Sequence, residues 1–201
     1  HGNINKLLKG PETPIVHPQT GTLYVLTGEA KLLTLTQFKD SDSGSNHMTA
    51  KATLVADFGA GRPLGGAFAA DGSMYVADLT QGLVKVTNLV EGSSTTTKDG
   101  GYTRPRIELV ASKFTDEDGK ESRITQADDV AVGPVSGHVY FSDASDITVE
   151  SGGSREGVSD PTIAFRQDFF RGKRSGRLLR YKPETGKVDV LARNIWFANG
   201  I

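Results

Sequence analysis

Three times along this chain a glycine turn opens into an apolar strand that carries tyrosine at the same offset: Gly21-Thr22-Leu23-Tyr24-Val25, Gly72-Ser73-Met74-Tyr75-Val76 and Gly137-His138-Val139-Tyr140-Phe141. Each copy follows another apolar run and a turn containing Pro or Asp, at 15–18, 67–71 and 130–134. The unit is strand, tight turn, strand. Successive tyrosines lie 51 and 65 residues apart, in or just above the spacing of β-propeller blades with inserted loops. One such sheet cannot bury both of its faces, and radial stacking against neighbours does.

Period-two patterning predicts strands at 15–16, 23–26, 31–37, 53–58, 66–69, 73–77, 82–87, 107–111, 127–132, 138–142, 176–181 and 188–192. Polar stretches at 39–50, 91–103, 115–122 and 150–160 read as loops. Helical periodicity is confined to 160–172, where Pro161 suits a first helical position. Blade-like units are therefore expected at about 10–48, 53–90 and 107–192, with the start of the next at Asn199-Gly200-Ile201 and no separate second domain. The chain reads as an N-terminal or central piece of a longer all-β propeller.

Composition excludes several classes of function. The 201 residues carry a formal net charge of -1, which gives no long-range field for capturing nucleic acid, so no nucleic-acid partner is expected. No apolar run approaches the roughly 20 residues that cross a bilayer, so no membrane anchor is visible in this span. The absence of cysteine removes disulfides, thiolate catalysis and zinc–thiolate sites from it. His17, His47 and His138 are scattered, with no spacing for zinc or a nucleophile triad.

Several segments, in order, resemble the strictosidine synthase-like family, which sits with the paraoxonases and gluconolactonases among six-bladed β-propellers. They are Gly10-Pro11-Glu12, Gly61-Arg62-Pro63-Leu64-Gly65, Met74-Tyr75-Val76-Ala77-Asp78, Ala127-Asp128-Asp129-Val130, Val139-Tyr140-Phe141-Ser142-Asp143-Ala144-Ser145, Gly176-Arg177-Leu178-Leu179-Arg180-Tyr181 and Phe197-Ala198-Asn199-Gly200. Any one of them is common, and their order and spacing together are specific. The resemblance implies a six-bladed propeller, of which about three blades and the start of a fourth are present.

In the hydrolytic relatives a calcium ion sits in the central channel, held by oxygens from the inner ends of successive blades, as calcium's preference for 6 to 8 hard oxygen ligands requires. The resemblance carries Glu12, Asp128 and Asn199 onto that ligand set. Asp128 stands where the relatives have Asn, a departure that keeps an oxygen and adds a charge. Taken without the resemblance, Glu12 reads as a turn acid, Asp128 and Asp129 as strand-end caps and Asn199-Gly200 as a turn. The paraoxonase-type histidine dyad has no match here. The repeated tyrosines read as blade-packing aromatics. Asp78, Asp143, Ser142 and Ser145 read as partners of loop backbone N–H groups.

The basic stretch Arg166, Arg171, Lys173, Arg174, Arg177 and Arg180, interleaved with Phe165, Phe169 and Phe170, has a composition found in RNA- and phospholipid-binding surfaces. It reads first as a solvated loop and one face of a strand. Over the channel mouth, its phenylalanines would line the substrate entrance.

The family resemblance implies a calcium-dependent ester or lactone hydrolase of the arylesterase kind, with Asp128 or Asp129 activating water. The first alternative is Pictet–Spengler condensation of an amine with an aldehyde, whose family catalytic Glu has no counterpart in this span. The second is a non-catalytic binding scaffold. The partner is thus a small-molecule ester, lactone, or amine and aldehyde, and the resemblance implies the secretory pathway.

Overall fold

The computed structural model describes residues 8–40, 48–89, 95–96, 102–148 and 161–201. Three four-stranded antiparallel sheets follow one another along the chain. The first contains β1 (Pro11–Val16), β2 (Leu23–Thr27), β3 (Lys31–Asp40) and β4 (Met48–Asp57) in sequence order. The second contains β5 (Pro63–Phe68), β6 (Met74–Asp78) and β7 (Gly82–Thr87), then β10 (Arg106–Ala111) on the outer edge. A short ribbon of β8 (Thr95–Thr96) and β9 (Tyr102–Thr103) falls between β7 and β10. A second ribbon, β11 (Lys113–Thr115) with β12 (Glu121–Arg123), precedes the third sheet. That sheet contains β13 (Ala127–Val132), β14 (Val139–Asp143), β15 (Gly176–Lys182) and β16 (Lys187–Ile195), with helix α1 (Pro161–Arg171) between β14 and β15. The sheets are three blades of a β-propeller. No helix among the described residues is long and apolar enough to cross a membrane.

The blade limits differ from those expected. β4 pairs with β3 and closes the first sheet, and β10 pairs with β7 and closes the second. The blades therefore span 11–57, 63–111 and 127–195, not 10–48, 53–90 and 107–192. Each outer strand follows a long polar connection, and local pattern does not say to which side of a connection a strand belongs. The expected loop at 115–122 is largely the turn of the β11–β12 ribbon, and 160–172 supplies α1. His47 lies outside the described residues.

The glycines of the repeat have a conformational cause. Gly21, Gly72 and Gly137 all sit in the left-handed region, at φ 71°, 78° and 68°, and each has open space where a side chain would project. A hairpin closes each time, one residue shorter in the second blade: His17, Ala69 and Gly133 donate N–H groups to the carbonyls of Thr22, Ser73 and His138. Glycine is kept there because other residues pay for φ > 0.

Two cores lie between the blades. Tyr24 and Leu26 of the first pack with Met74, Val76, Val84 and Val86 of the second. Tyr75, Ala77 and Leu83 of the second pack with Val139, Phe141, Leu179 and Tyr181 of the third. β6 is buried along its whole length because its alternate residues serve both cores. Tyr24 meets Phe68 edge-on at 5.4 Å, and Tyr75 meets Tyr181 at 6.3 Å. Tyr140, the equivalent residue of the third blade, is half-buried in this chain. Asp78 and Asp143, both fully buried, accept backbone N–H groups as expected, from Thr80 and Gln81 and from Thr125 and Gln126 respectively.

Candidate functional site

The first strand of every blade carries a one-residue register shift at the same place. It falls between Pro11 and Pro14 in β1, between Pro63 and Gly65 in β5, and between Ala127 and Val130 in β13. A bulge adds a residue to one strand and re-aims the side chains beside it. Counted from the tyrosine partners Ile15, Ala67 and Ala131, the shifts put Glu12, Leu64 and Asp128 at equivalent positions, with Thr13, Gly65 and Asp129 next to them. The sequence Ala198-Asn199-Gly200-Ile201 repeats the pattern Ala127-Asp128-Asp129-Val130 and puts Asn199 in the same rank.

These residues surround one cavity of about 590 Å³, lined by Glu12, Thr13, Leu64, Asp128, Asp129 and Asn199 on the blade side and by Thr162, Phe165, Trp196 and Phe197 opposite. The volume is within the ordinary range for small-molecule sites. The structure thus brings together all four residues singled out in the sequence. Of the aromatic wall, sequence reasoning anticipated Phe165 at the entrance and missed Trp196 and the role of Phe197. Trp196 stands directly before the Phe197-Ala198-Asn199-Gly200 motif and could have been read with it. Phe197 holds a left-handed φ of 42°, and its ring meets Phe165 of α1 edge-on at 5.1 Å.

Each acidic group is held differently. Glu12 accepts a hydrogen bond at 2.6 Å from Arg62, whose side chain is almost fully buried. That pairing links the first two blades across 50 residues of sequence, and only the Gly61-Arg62-Pro63 motif hints at it. Asp129 is fixed by its backbone surroundings: Oδ1 accepts the N–H of Val130 at 2.9 Å, Oδ2 accepts that of Ile201 at 3.0 Å, and its own N–H donates to Ser142 Oγ at 3.1 Å. Asp128 has no hydrogen-bond partner among the described residues. Burial, reinforced by the negative charges of Asp129 and Glu12, pushes its carboxyl up to about 7.

The sign of the resulting pH effect follows from proton counting. A carboxyl raised from the ordinary 3.8 to about 7 keeps its proton in the folded state while the unfolded chain has lost it. Cation-free protein should therefore lose stability as pH rises from about 4 to about 7, by a few kcal/mol. Denaturant midpoints in chelator at pH 5 and pH 8 should show this decline, and Asp128→Asn should flatten it. A decline that survives Asp128→Asn would assign it to another group.

The donors match a hard cation in kind: carboxylate oxygens, one amide oxygen and a threonine hydroxyl around an excess of negative charge. Among the described residues no three acidic or histidine side chains converge closely enough to hold an ion alone, so Asn199, backbone carbonyls and water would have to complete the shell. Glu12, Asp128 and Asn199 are the residues that would hold it.

No protein-family model matches the chain. It is 30% identical over 200 residues to strictosidine synthase-like protein 4 of Arabidopsis thaliana, covering 97% of this chain and 42% of that protein. It is 35% identical over 142 residues to strictosidine synthase-like protein 7 of the same plant, covering 70% of this chain and 29% of the relative. The chain thus spans less than half the length of these curated relatives. Among solved structures, a gluconolactonase from Xanthomonas campestris matches 92% of this chain and 48% of its own with a TM-score of 0.55 at 14% identity, a likeness of fold. The fold class is a six-bladed β-propeller, represented by three blades and the opening of a fourth. Within that class, the chain belongs to the strictosidine synthase-like family.

Proposed function

We propose that the protein is a calcium-dependent hydrolase of esters or lactones. The observation that carries this reading is the convergence of Glu12 from the first blade, Asp128 and Asp129 from the third and Asn199 from the segment after it on one cavity with an aromatic wall. Bound calcium would polarise the substrate carbonyl and stabilise the negative charge that develops on its oxygen. Arg62 holds Glu12 from behind, so the carboxylate is pre-oriented. Asp129, anchored by two backbone N–H groups, can orient a water molecule and take its proton. Leu64, Phe165, Trp196 and Phe197 exclude bulk water and seat the apolar part of the substrate. Membership of the strictosidine synthase-like family supports a location in the secretory pathway.

Full-length protein is expected to hydrolyse phenyl acetate or a simple lactone in calcium, to stop in EGTA, and to resume when calcium returns. Undiminished turnover in EGTA would remove calcium from the reading, and failure on a panel of esters and lactones would remove hydrolysis. One observation also favours amine–aldehyde condensation: carboxylates facing three aromatic rings suit an aromatic amine. That reading predicts a condensed product from tryptamine and an aldehyde with EGTA present.

A further inference from the structure

We propose that α1 and the residues that follow it form a docking surface for an anionic lipid bilayer, set at the rim of the cavity. The segment 161–174 contains a single acidic residue, Asp168, and it points inward. It is fully buried and accepts hydrogen bonds from Ser145 Oγ at 2.9 Å and Ser175 Oγ at 3.1 Å. Arg171 and Lys173 both pair with Asp146, which fastens the end of the helix to the third blade and leaves two cations sharing one carboxylate.

The outward side carries the opposite character. Phe165, Phe169 and Phe170 are 46%, 60% and 85% exposed, and Trp196 on the same rim is 45% exposed. Single exposed apolar side chains are ordinary, whereas a contiguous cluster marks a contact surface. Arg166 and Arg174 are exposed and have no ion-pair partner among the described residues. The surface therefore presents aromatic rings and guanidinium groups with no exposed carboxylate among residues 161–174.

That pairing fits a bilayer interface, where rings enter the headgroup–acyl boundary and cations meet anionic headgroups. A helix of 11 residues cannot span the hydrocarbon and can lie in the plane of its surface. Nucleic acid fits less well: Phe165 and Phe169 lie 6.4 Å apart with their rings inclined by 30°, and Phe169 and Phe170 pack edge-on at 5.9 Å, so the rings pack on one another instead of offering slots for bases. Because Thr162 and Phe165 also line the cavity, docking would put the cavity mouth at the membrane–water boundary, and apolar substrates would enter from the lipid side.

The test is co-sedimentation of full-length protein with phosphatidylcholine vesicles, with and without about 30% phosphatidylserine. Wild type should favour the anionic vesicles. Arg166→Glu with Arg174→Glu should reduce that binding by about tenfold or more, as should raising salt to about 0.5 M. Phe169→Ser with Phe170→Ser should reduce binding to both kinds of vesicle. Circular dichroism should be unchanged, since all four side chains are exposed, and hydrolysis of a soluble ester should survive Phe170→Ser and Arg174→Glu, because neither residue lines the cavity. No preference for anionic vesicles, or binding unaffected by both double substitutions, would overturn the proposal. So would retention of a polyuridylate RNA that is lost on the same substitutions while vesicles are ignored. The hydrolysis assay is a separate readout, so failure of docking and failure of the proposed activity are distinguishable.

Discussion

Asn199→Ala is expected to abolish most calcium-dependent hydrolysis, by about 10²–10³-fold in kcat, while leaving the fold almost untouched. Asn199 is exposed at the rim of the cavity and makes no hydrogen bond among the described residues. Loss of its amide should therefore change stability by no more than about 0.5 kcal/mol. Glu12→Ala should lose activity to a similar degree for a different mixture of reasons. It removes an oxygen donor and also strands Arg62, a guanidinium only 7% exposed, without its carboxylate. Breaking a buried pair from one side costs about 3–5 kcal/mol. Adding Arg62→Met should return much of the stability without returning activity. Kinetics, calcium titration calorimetry and thermal melts on these variants separate the two effects. Full activity in Asn199→Ala would exclude it from the ligand set.

A second large loss of stability is expected on substitution of Gly65. A Cβ there would lie 2.3 Å from Asp129 Oδ1, 2.6 Å from Asp129 Cα and 2.8 Å from the Asp128 carbonyl oxygen. Two of these three neighbours are backbone atoms of β13, so no side-chain rotation relieves the clash. Gly65→Ala should wedge the second blade from the third beside the carboxylates and cost about 3 kcal/mol or more. Gly72→Ala is the informative contrast. Its Cβ would meet nothing within 4 Å, and its φ of 78° alone is unfavourable, so it should cost about 1–2 kcal/mol and leave calcium binding intact. Denaturant midpoints of the two variants test the distinction, and equal midpoints would contradict it.

Features that depend on local backbone demands were legible in the sequence. The repeat announced itself because three hairpins need a left-handed residue at the same place, and Gly21, Gly72 and Gly137 supply it. Glu12, Asp128 and Asn199 were legible through the family resemblance, whereas their equivalent places beside the bulges emerge only from the strand registers. Contacts between distant segments left no local trace. Nothing near Glu12 indicates that Arg62 will cover it. Nor does the pattern at 53–58 or 107–111 say whether a strand ends one blade or begins the next. The basic stretch also divides in a way composition does not show. Arg177 pairs with fully buried Asp143 at 2.6 Å, Arg180 pairs with Asp189 at 2.5 Å, and Arg171 and Lys173 share Asp146, so Arg166 and Arg174 alone of the stretch have no ion-pair partner among the described residues.

The shared bulge makes the cavity's chemistry separable from its architecture. Inter-blade cores rest on Tyr24, Tyr75, Val139 and their neighbours, while the character of the cavity floor rests on one rank of side chains, Glu12, Leu64, Asp128 and Asn199. None of these belongs to either large core. A carboxylate, an aliphatic group or an amide therefore occupies the same seat in different blades without entering the packing between them. The range of reactions open to such a protein is written in about one residue per blade, and a change of reaction would require exchanging members of that rank without rebuilding any strand.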